Sequence, residues 1–361
     1  MVGGADRWHD GPAVRWAAVA EEMVAEPLLP SDPEAVGRYR LDARLGVGGT
    51  GRVYLARSAS GRRVALRVLN QALLSSDNAR WRLAGEVRAL YRVTGPRAAR
   101  LDNADLHGDP PWLATEYVPG RTLGEHVLRE GPLDGPLTAA LGVMLADALS
   151  ELHEAGSLHR DLKPRNIILG PDGPKAVDAG LAVLAEPFGP AYRAPEQVAG
   201  RDDTTAADVY ALGATLVYAA SGHILYPDRA ASSLLAAIVD PYKPPNLSGV
   251  PEELVKALAA MIAADPDARP SVDDLRRRLV RLAGGQEAVD DLTLRLVEEG
   301  YPDPDDRELD DLDPDGAGPG PDGDADAAGY DEPVPFDSET TRDIGPPVDP
   351  PSRHSIPRAT T

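Results

Sequence analysis

Three glycines stand at a phosphate-binding spacing in Leu45-Gly-Val-Gly-Gly-Thr-Gly-Arg-Val53, where Gly46, Gly48 and Gly51 fit G-x-G-x-x-G. Lacking side chains, such residues let backbone N–H groups approach a phosphate closely. Taken alone, the pattern is more often a plain Gly-rich hairpin turn. Both of its flanks are β-rich, whereas in a dinucleotide-binding fold a helix follows the glycines. Further along, charged and amide side chains gather in His159-Arg-Asp-Leu-Lys-Pro-Arg-Asn-Ile-Ile-Leu169 and in Val177-Asp-Ala-Gly180. The chain has no Cys, which excludes disulfides and thiolate metal sites.

The elements that must hold these residues fall into two halves. Arg38–Leu45, Arg52–Ser58, Arg63–Leu69 and Trp112–Val118 read as strands, parted by Gly-containing turns. Between them, Asn78–Val93 reads as a helix, with Leu83, Val87, Leu90 and Tyr91 on one face. After Pro119–Gly120 the text turns helical. Leu137–Ala155 aligns Leu141, Leu145, Leu149 and Leu152, and Gly156 stops it. Asp208–Ala220, Pro251–Ala264 and Ser271–Leu282 read as further helices, the last capped by Ser271 with acids in its first turn. A small β-rich half and a larger helical half imply two lobes with a cleft between them. Residues 1–35 precede the regular fold, with a short helix expected over Trp16–Val24. A short helix is expected over Gly285–Gly300, within an extension at 283–301. Residues 302–361 read as a disordered tail of Asp, Pro and Gly.

The run from His159 to Leu169 resembles the catalytic loop of protein kinases at every defining position. The strand–Gly loop–strand order is similar to theirs as well. From roughly Val36 to Leu282, the domain taken as 36–282, the chain resembles the bacterial eukaryotic-like (Hanks-type) Ser/Thr protein kinases. That resemblance implies an α+β, two-lobed kinase fold, with one helix in the small lobe, and ATP and Mg²⁺ as cofactors. By the same resemblance Asp161 accepts the substrate's hydroxyl proton and Lys163 neutralises the transferring phosphoryl group, while Asn166 and Asp178 hold Mg²⁺. Glu116-Tyr-Val118 looks like the hinge that hydrogen-bonds adenine, behind Thr115, and Val53 and Ala65 would pack on the purine. Pro190-Ala-Tyr-Arg-Ala-Pro-Glu196 looks like the end of an activation segment, and Arg269 would pair with Glu196. Asp208-Val-Tyr-Ala-Leu-Gly213 resembles the helix that anchors the catalytic loop.

Three positions depart from that pattern. Arg67 stands where the family has a Lys that joins the phosphates to a helix Glu, here matched by Glu86. Arg is longer and forked, so the exchange is not conservative at a packed ion pair. Ala179 replaces a Phe, a loss typically costing ~3–5 kcal/mol where the site cannot repack. Gly189 replaces the usual Thr. No Ser or Thr lies between Asp178 and Glu196, so Arg160 has no phosphate there to meet. The protein also avoids Lys (only Lys163, Lys175, Lys243 and Lys256) and Phe (only Phe188 and Phe336), which gives drift as a plain origin for the first two changes.

Hydrophobic residues make up 42% of the chain, enough for a core. Its net charge is −21, of which −13 falls after residue 300. Such acidity argues against nucleic acid as a partner. No run reaches the ~20 apolar residues of a membrane span, and the charged N-terminus does not read as a signal peptide, so a cytoplasmic protein is expected. The departures together lead to the expectation of weakened or lost phosphoryl transfer, as in a regulatory pseudokinase. A fully working kinase using Arg67 is the alternative, favoured by Asp161, Lys163, Asn166 and Asp178. A small-molecule phosphotransferase is disfavoured by Ala194-Pro-Glu196 and Arg269. Implied partners are ATP and a protein substrate or regulatory protein. In the tail, Thr340 and Thr341 offer a site for a phosphothreonine-reading domain.

Overall fold

The computed structural model of the chain describes residues 25–184, 190–227 and 230–300, with side chains to 298. The helix expected over Trp16–Val24, the positions Phe188 and Gly189, and the acidic tail with Thr340 and Thr341 lie outside the described residues.

The small lobe is a six-stranded antiparallel sheet in the order β1-β2-β3-β4-β6-β5. Its strands are β1 (Ala35–Val36), β2 (Tyr39–Gly48), β3 (Gly51–Arg57), β4 (Arg63–Leu69), β5 (Leu101–Asp105) and β6 (Trp112–Glu116). The β2–β3 hairpin turns at the glycine loop, where Gly48 faces Gly51. Helix α1 (Asp77–Leu90) follows β4; the Ser76 side chain caps it by accepting from the Ala79 N–H. Its buried Leu83 and Val87 meet Leu69, Leu74 and Leu113 of the sheet side and Leu181 beyond it. The stretch before β1 is part of this lobe. Glu26 pairs its backbone with Arg44, and Asp32 bonds the Arg44 guanidinium, the Tyr54 hydroxyl and the Leu29 N–H. Burial raises the Asp32 carboxyl pKa, but the Arg44 contact outweighs that and holds it well below the usual carboxylate range.

The large lobe opens with β7 (Arg121–Thr122), α2 (Leu123–Glu130) and α3 (Gly135–Glu154), a helix buried along most of its length. Strands β8 (Ile167–Gly170) and β9 (Gly173–Ala176) join β7 in a second small sheet. Helices α4 (Pro195–Val198), α5 (Thr205–Ser221), α6 (Ala231–Val239), α7 (Glu252–Met261), α8 (Val272–Leu282) and α9 (Gln286–Gly300) complete it. The final helix packs on α3 and the β8–β9 hairpin, burying Val289 and Leu296.

On the hinge side of the cleft the lobes are joined at two places. Residues 117–120 carry the chain across. Behind them, the Ala99 N–H donates to the Ala176 carbonyl (2.8 Å) and the Ala176 N–H to the Arg97 carbonyl (2.9 Å). Beside this bridge Lys175 of β9 meets Glu116 of β6. Burial raises the Glu116 carboxyl pKa, yet the Lys175 ammonium and Arg100 bring it below its ordinary value.

Sequence patterning placed the long helices to within a few residues. It missed the short β7–β9 sheet, β5, α2 and α6. Strand β5, Leu-Asp-Asn-Ala-Asp, carries no strand signal and forms by pairing with β6. Helix α2 did carry one, a capping box between Thr122 and Glu125.

Candidate active site

A cleft of ≈ 150 Å³ lies between the lobes. Of the residues singled out above, Gly46, Gly48, Val53, Ala65, Arg67, Glu116, Val118, Asp161, Lys163, Asn166 and Asp178 line it. Gly51 and Glu86 do not. The three glycines divide by role. A Cβ at Gly46 or Gly48 would meet nothing within 4 Å, so their backbone is open to the cleft. One at Gly51 would sit 1.9 Å from the Val68 carbonyl oxygen, so Gly51 lets β3 lie against β4.

The catalytic-loop run is held from below by one buried carboxylate. Asp208, on α5, accepts from the backbone N–H groups of His159 and Arg160 (both 2.9 Å) and lies 2.8 Å from His153 Nε2. These bonds hold Arg160 at φ 63°, a conformation few non-glycine residues adopt. His159 is fully buried, neither ring nitrogen has a hydrogen-bond partner among the described residues, and burial pushes its pKa down. A neutral ring follows. Beyond this turn Lys163 Nζ donates to both Asp161 oxygens (2.9 and 2.7 Å), and Asn166 Nδ2 donates to the Asp161 carbonyl (2.7 Å) and carboxylate (3.1 Å). Asp161 is thus an oriented carboxylate facing the cleft.

Asp178 also has a positive φ, 62°, and reaches the cleft with its side chain 36% exposed. Its Oδ2 accepts from Arg67 Nη2 at 2.6 Å, and Arg67 Nη1 donates to Thr50 Oγ1 at 3.0 Å. The ion pair that the family forms between these two positions, Arg67 and Glu86 here, is not formed. The longer, forked guanidinium reaches the glycine loop and Asp178 together, while Glu86 is held elsewhere. Its Oε1 lies 2.8 Å from Arg160 Nη2, and its Oε2 accepts from Ser157 Oγ at 2.7 Å. Arg160, with no Ser or Thr of the activation segment to serve, sits between Glu86 and Asp203 (3.4 Å). Sequence reasoning missed Thr50, Ser157 and Asp203, each of which acts through a partner distant in the chain.

Ala179 packs against the large-lobe core. Leu90, Leu101, Leu113 and Leu181, with Arg67 and Asp178 on the cleft side, line a recess of ≈ 30 Å³ beside it. Remote from the cleft, Arg269 and Glu196 form the anticipated pair, with Nη1–Oε1 2.5 Å and Nη2–Oε2 2.7 Å, at 0% and 3% side-chain exposure. The guanidinium stacks 5.0 Å over the Tyr210 ring.

The donor set suits a hard divalent cation that keeps most ligands from phosphate and water. Asp178 Oδ1 makes no hydrogen bond among the described residues, and the Asn166 amide, donating through Nδ2, has its oxygen left to accept. Among the described residues no three His, Asp or Glu side chains form a ready-made metal cage, and no helix is long and apolar enough to cross a membrane.

Comparison with known proteins agrees with this geometry. The sequence matches the protein kinase domain family over residues 39–279. It is 39% identical over 264 residues to the probable serine/threonine-protein kinase PkwA of Thermomonospora curvata, covering 70% of this chain and 35% of that protein. It is 38% identical over 267 residues to the serine/threonine-protein kinase AfsK of Streptomyces coelicolor, covering 71% and 33%. The chain therefore spans about a third of the length of these curated relatives. Among solved structures, the kinase domain of Mycobacterium tuberculosis PknI superposes with a TM-score of 0.58 at 27% identity, over 69% of this chain and 97% of that one. The chain belongs to the bacterial eukaryotic-like (Hanks-type) serine/threonine protein kinases.

Proposed function

We propose that this chain binds Mg²⁺-ATP in its cleft and transfers the γ-phosphoryl group to protein Ser or Thr only weakly, acting in the cytoplasm chiefly as a regulatory kinase-like protein. The observation that carries the proposal is the Arg67–Asp178 ion pair. The cation meant for phosphate and the carboxylate meant for metal neutralise each other at 2.6 Å. Nucleotide entry has to break that pair, and a guanidinium also tied to Thr50 meets the phosphates from a different height than an ammonium would. A misplacement of 1 Å can cost ~100-fold in rate. When bound, Mg²⁺ supplies positive charge to the phosphate oxygens. Asp178 and Asn166 would hold it, Asp161 would orient the attacking hydroxyl, and Lys163 would offset charge on the moving group. Open backbone at Gly46 and Gly48 would cover the phosphates, with the purine between Val53 and Ala65 against the 116–118 hinge.

A second reading, a fully working kinase adapted to arginine, is favoured by the intact Asp161–Lys163–Asn166 arrangement. One comparison separates the two: γ-phosphate transfer by the parent, by Arg67→Lys, and by Asp161→Asn as the blank. A lysine is shorter and offers one nitrogen in place of the fork, so it should hold Thr50 and Asp178 less firmly, and Arg67→Lys should raise transfer at least ~10-fold. A parent well above the blank and unimproved by Arg67→Lys belongs to the second reading. Mg²⁺-ATP should raise the melting temperature in either case, and a flat response would overturn nucleotide binding itself. For the tail, a phosphothreonine at Thr340 or Thr341 would recruit an arginine-lined reader domain; phosphopeptide mapping checks it.

A further inference from the structure

We propose that Ser157 is a positioning residue: with Arg160 it locks helix α1 to the catalytic loop through Glu86, a lock separate from the phosphate-facing cation Arg67. Glu86 is 12% exposed by side chain, and a carboxylate so placed needs donors. Both donors come from the large lobe, one to each oxygen, and Ser157 itself is only 1% exposed. Arg160 is fixed for this task from two sides. Its backbone N–H is tied to Asp208, and its Nε faces Asp203. Asp203 is in turn held by Gln197 Nε2 at 2.7 Å. Gly180 leaves the needed room, since a Cβ there would come within 3.2 Å of Glu86 Oε2 and 3.5 Å of Ser157 Oγ. Arg67 meanwhile has both terminal nitrogens committed to Thr50 and Asp178. Two circuits result, one seating the helix and one facing the cleft, with no residue in common.

The lock requires no nucleotide, so it stands or falls apart from the function proposed above. Amide hydrogen exchange on the full chain without nucleotide tests it. Ser157→Ala should speed exchange across Leu83–Leu90 about fivefold or more, because a charged acceptor loses one of two donors, while α3 and α5 exchange as before. Ser157→Thr, which restores a hydroxyl, should return α1 toward parent protection. Arg67→Lys should leave α1 within about twofold of parent. Unchanged α1 exchange in Ser157→Ala, or loosening by Arg67→Lys as large as that by Ser157→Ala, would overturn the proposal. If Ser157→Thr crowds the site, Glu86→Gln gives the same reading, with faster α1 exchange expected and none refuting.

Discussion

Restoring the missing aromatic ring at residue 179 is the sharpest test of how this core has settled. Had the core kept the shape of a lost phenylalanine, the void would be ring-sized and refilling it would return several kcal/mol. The recess beside Ala179 is ≈ 30 Å³. At ~24 cal/mol per Å³, a void of that size costs only ~0.7 kcal/mol. A phenyl ring in so small a recess would press on Leu90, Leu101, Leu113 or Leu181, or on Arg67 and Asp178 at its cleft side. Ala179→Phe is therefore an overpacking substitution, destabilising by about 1–3 kcal/mol. For a domain of this size that lowers the melting temperature by about 2–12 °C. Thermal denaturation of parent and variant, without nucleotide, reads it directly. A melting temperature that rises would mean the recess is a vacated aromatic site, and the reasoning from repacking would be wrong.

Other substitutions probe the frame. Arg269→Ala strands the buried Glu196 carboxylate and should cost about 3–5 kcal/mol in chemical denaturation, far more than removal of any surface ion pair such as Arg277–Asp274. Ending the chain before Gln286 removes the buried Val289 and Leu296 side chains and should destabilise by about 3–6 kcal/mol, whereas a chain ended after about Asp303 should keep its fold. Asp32 has a folded pKa below its unfolded value, so its contribution is present above about pH 4 and fades as pH falls through the folded value. The melting-temperature difference between parent and Asp32→Asn should accordingly be full at pH 7 and shrink steadily below pH 4; a difference independent of pH would refute the charge-based account.

What the sequence revealed and what it concealed divide along distance in the chain. The catalytic-loop run is contiguous, so Asp161, Lys163 and Asn166 could be read together, and in the fold they do bond to one another. Helices with a repeating apolar face, such as α3, announced themselves by period. Strand β5 is polar along most of its length and exists only because β6 lies beside it. The destination of Arg67 lies 111 residues away at Asp178, and nothing near Arg67 distinguishes that partner from Glu86. Ser157 was silent for the same reason. A small hydroxyl before a charged loop has many possible uses, and only the packing of α1 against that loop selects one.

The backbone bridge behind the hinge has a mechanical consequence. One body joined to another at a single flexible strand can swing and twist in any direction. Here the crossing at 117–120 is accompanied by the Ala98–Ala176 pairing and the Lys175–Glu116 contact, so along the hinge edge the small lobe is attached at two points. Two points define an axle. Any motion that keeps both attachments is a rocking about that line, like a lid on two pins. The β2–β3 turn lies on the cleft side of the pins and travels furthest, while Glu116 and Val118, beside the axle, hardly move. Access to the cleft is then governed by one angle, which the Glu86 contacts to Ser157 and Arg160 hold in place.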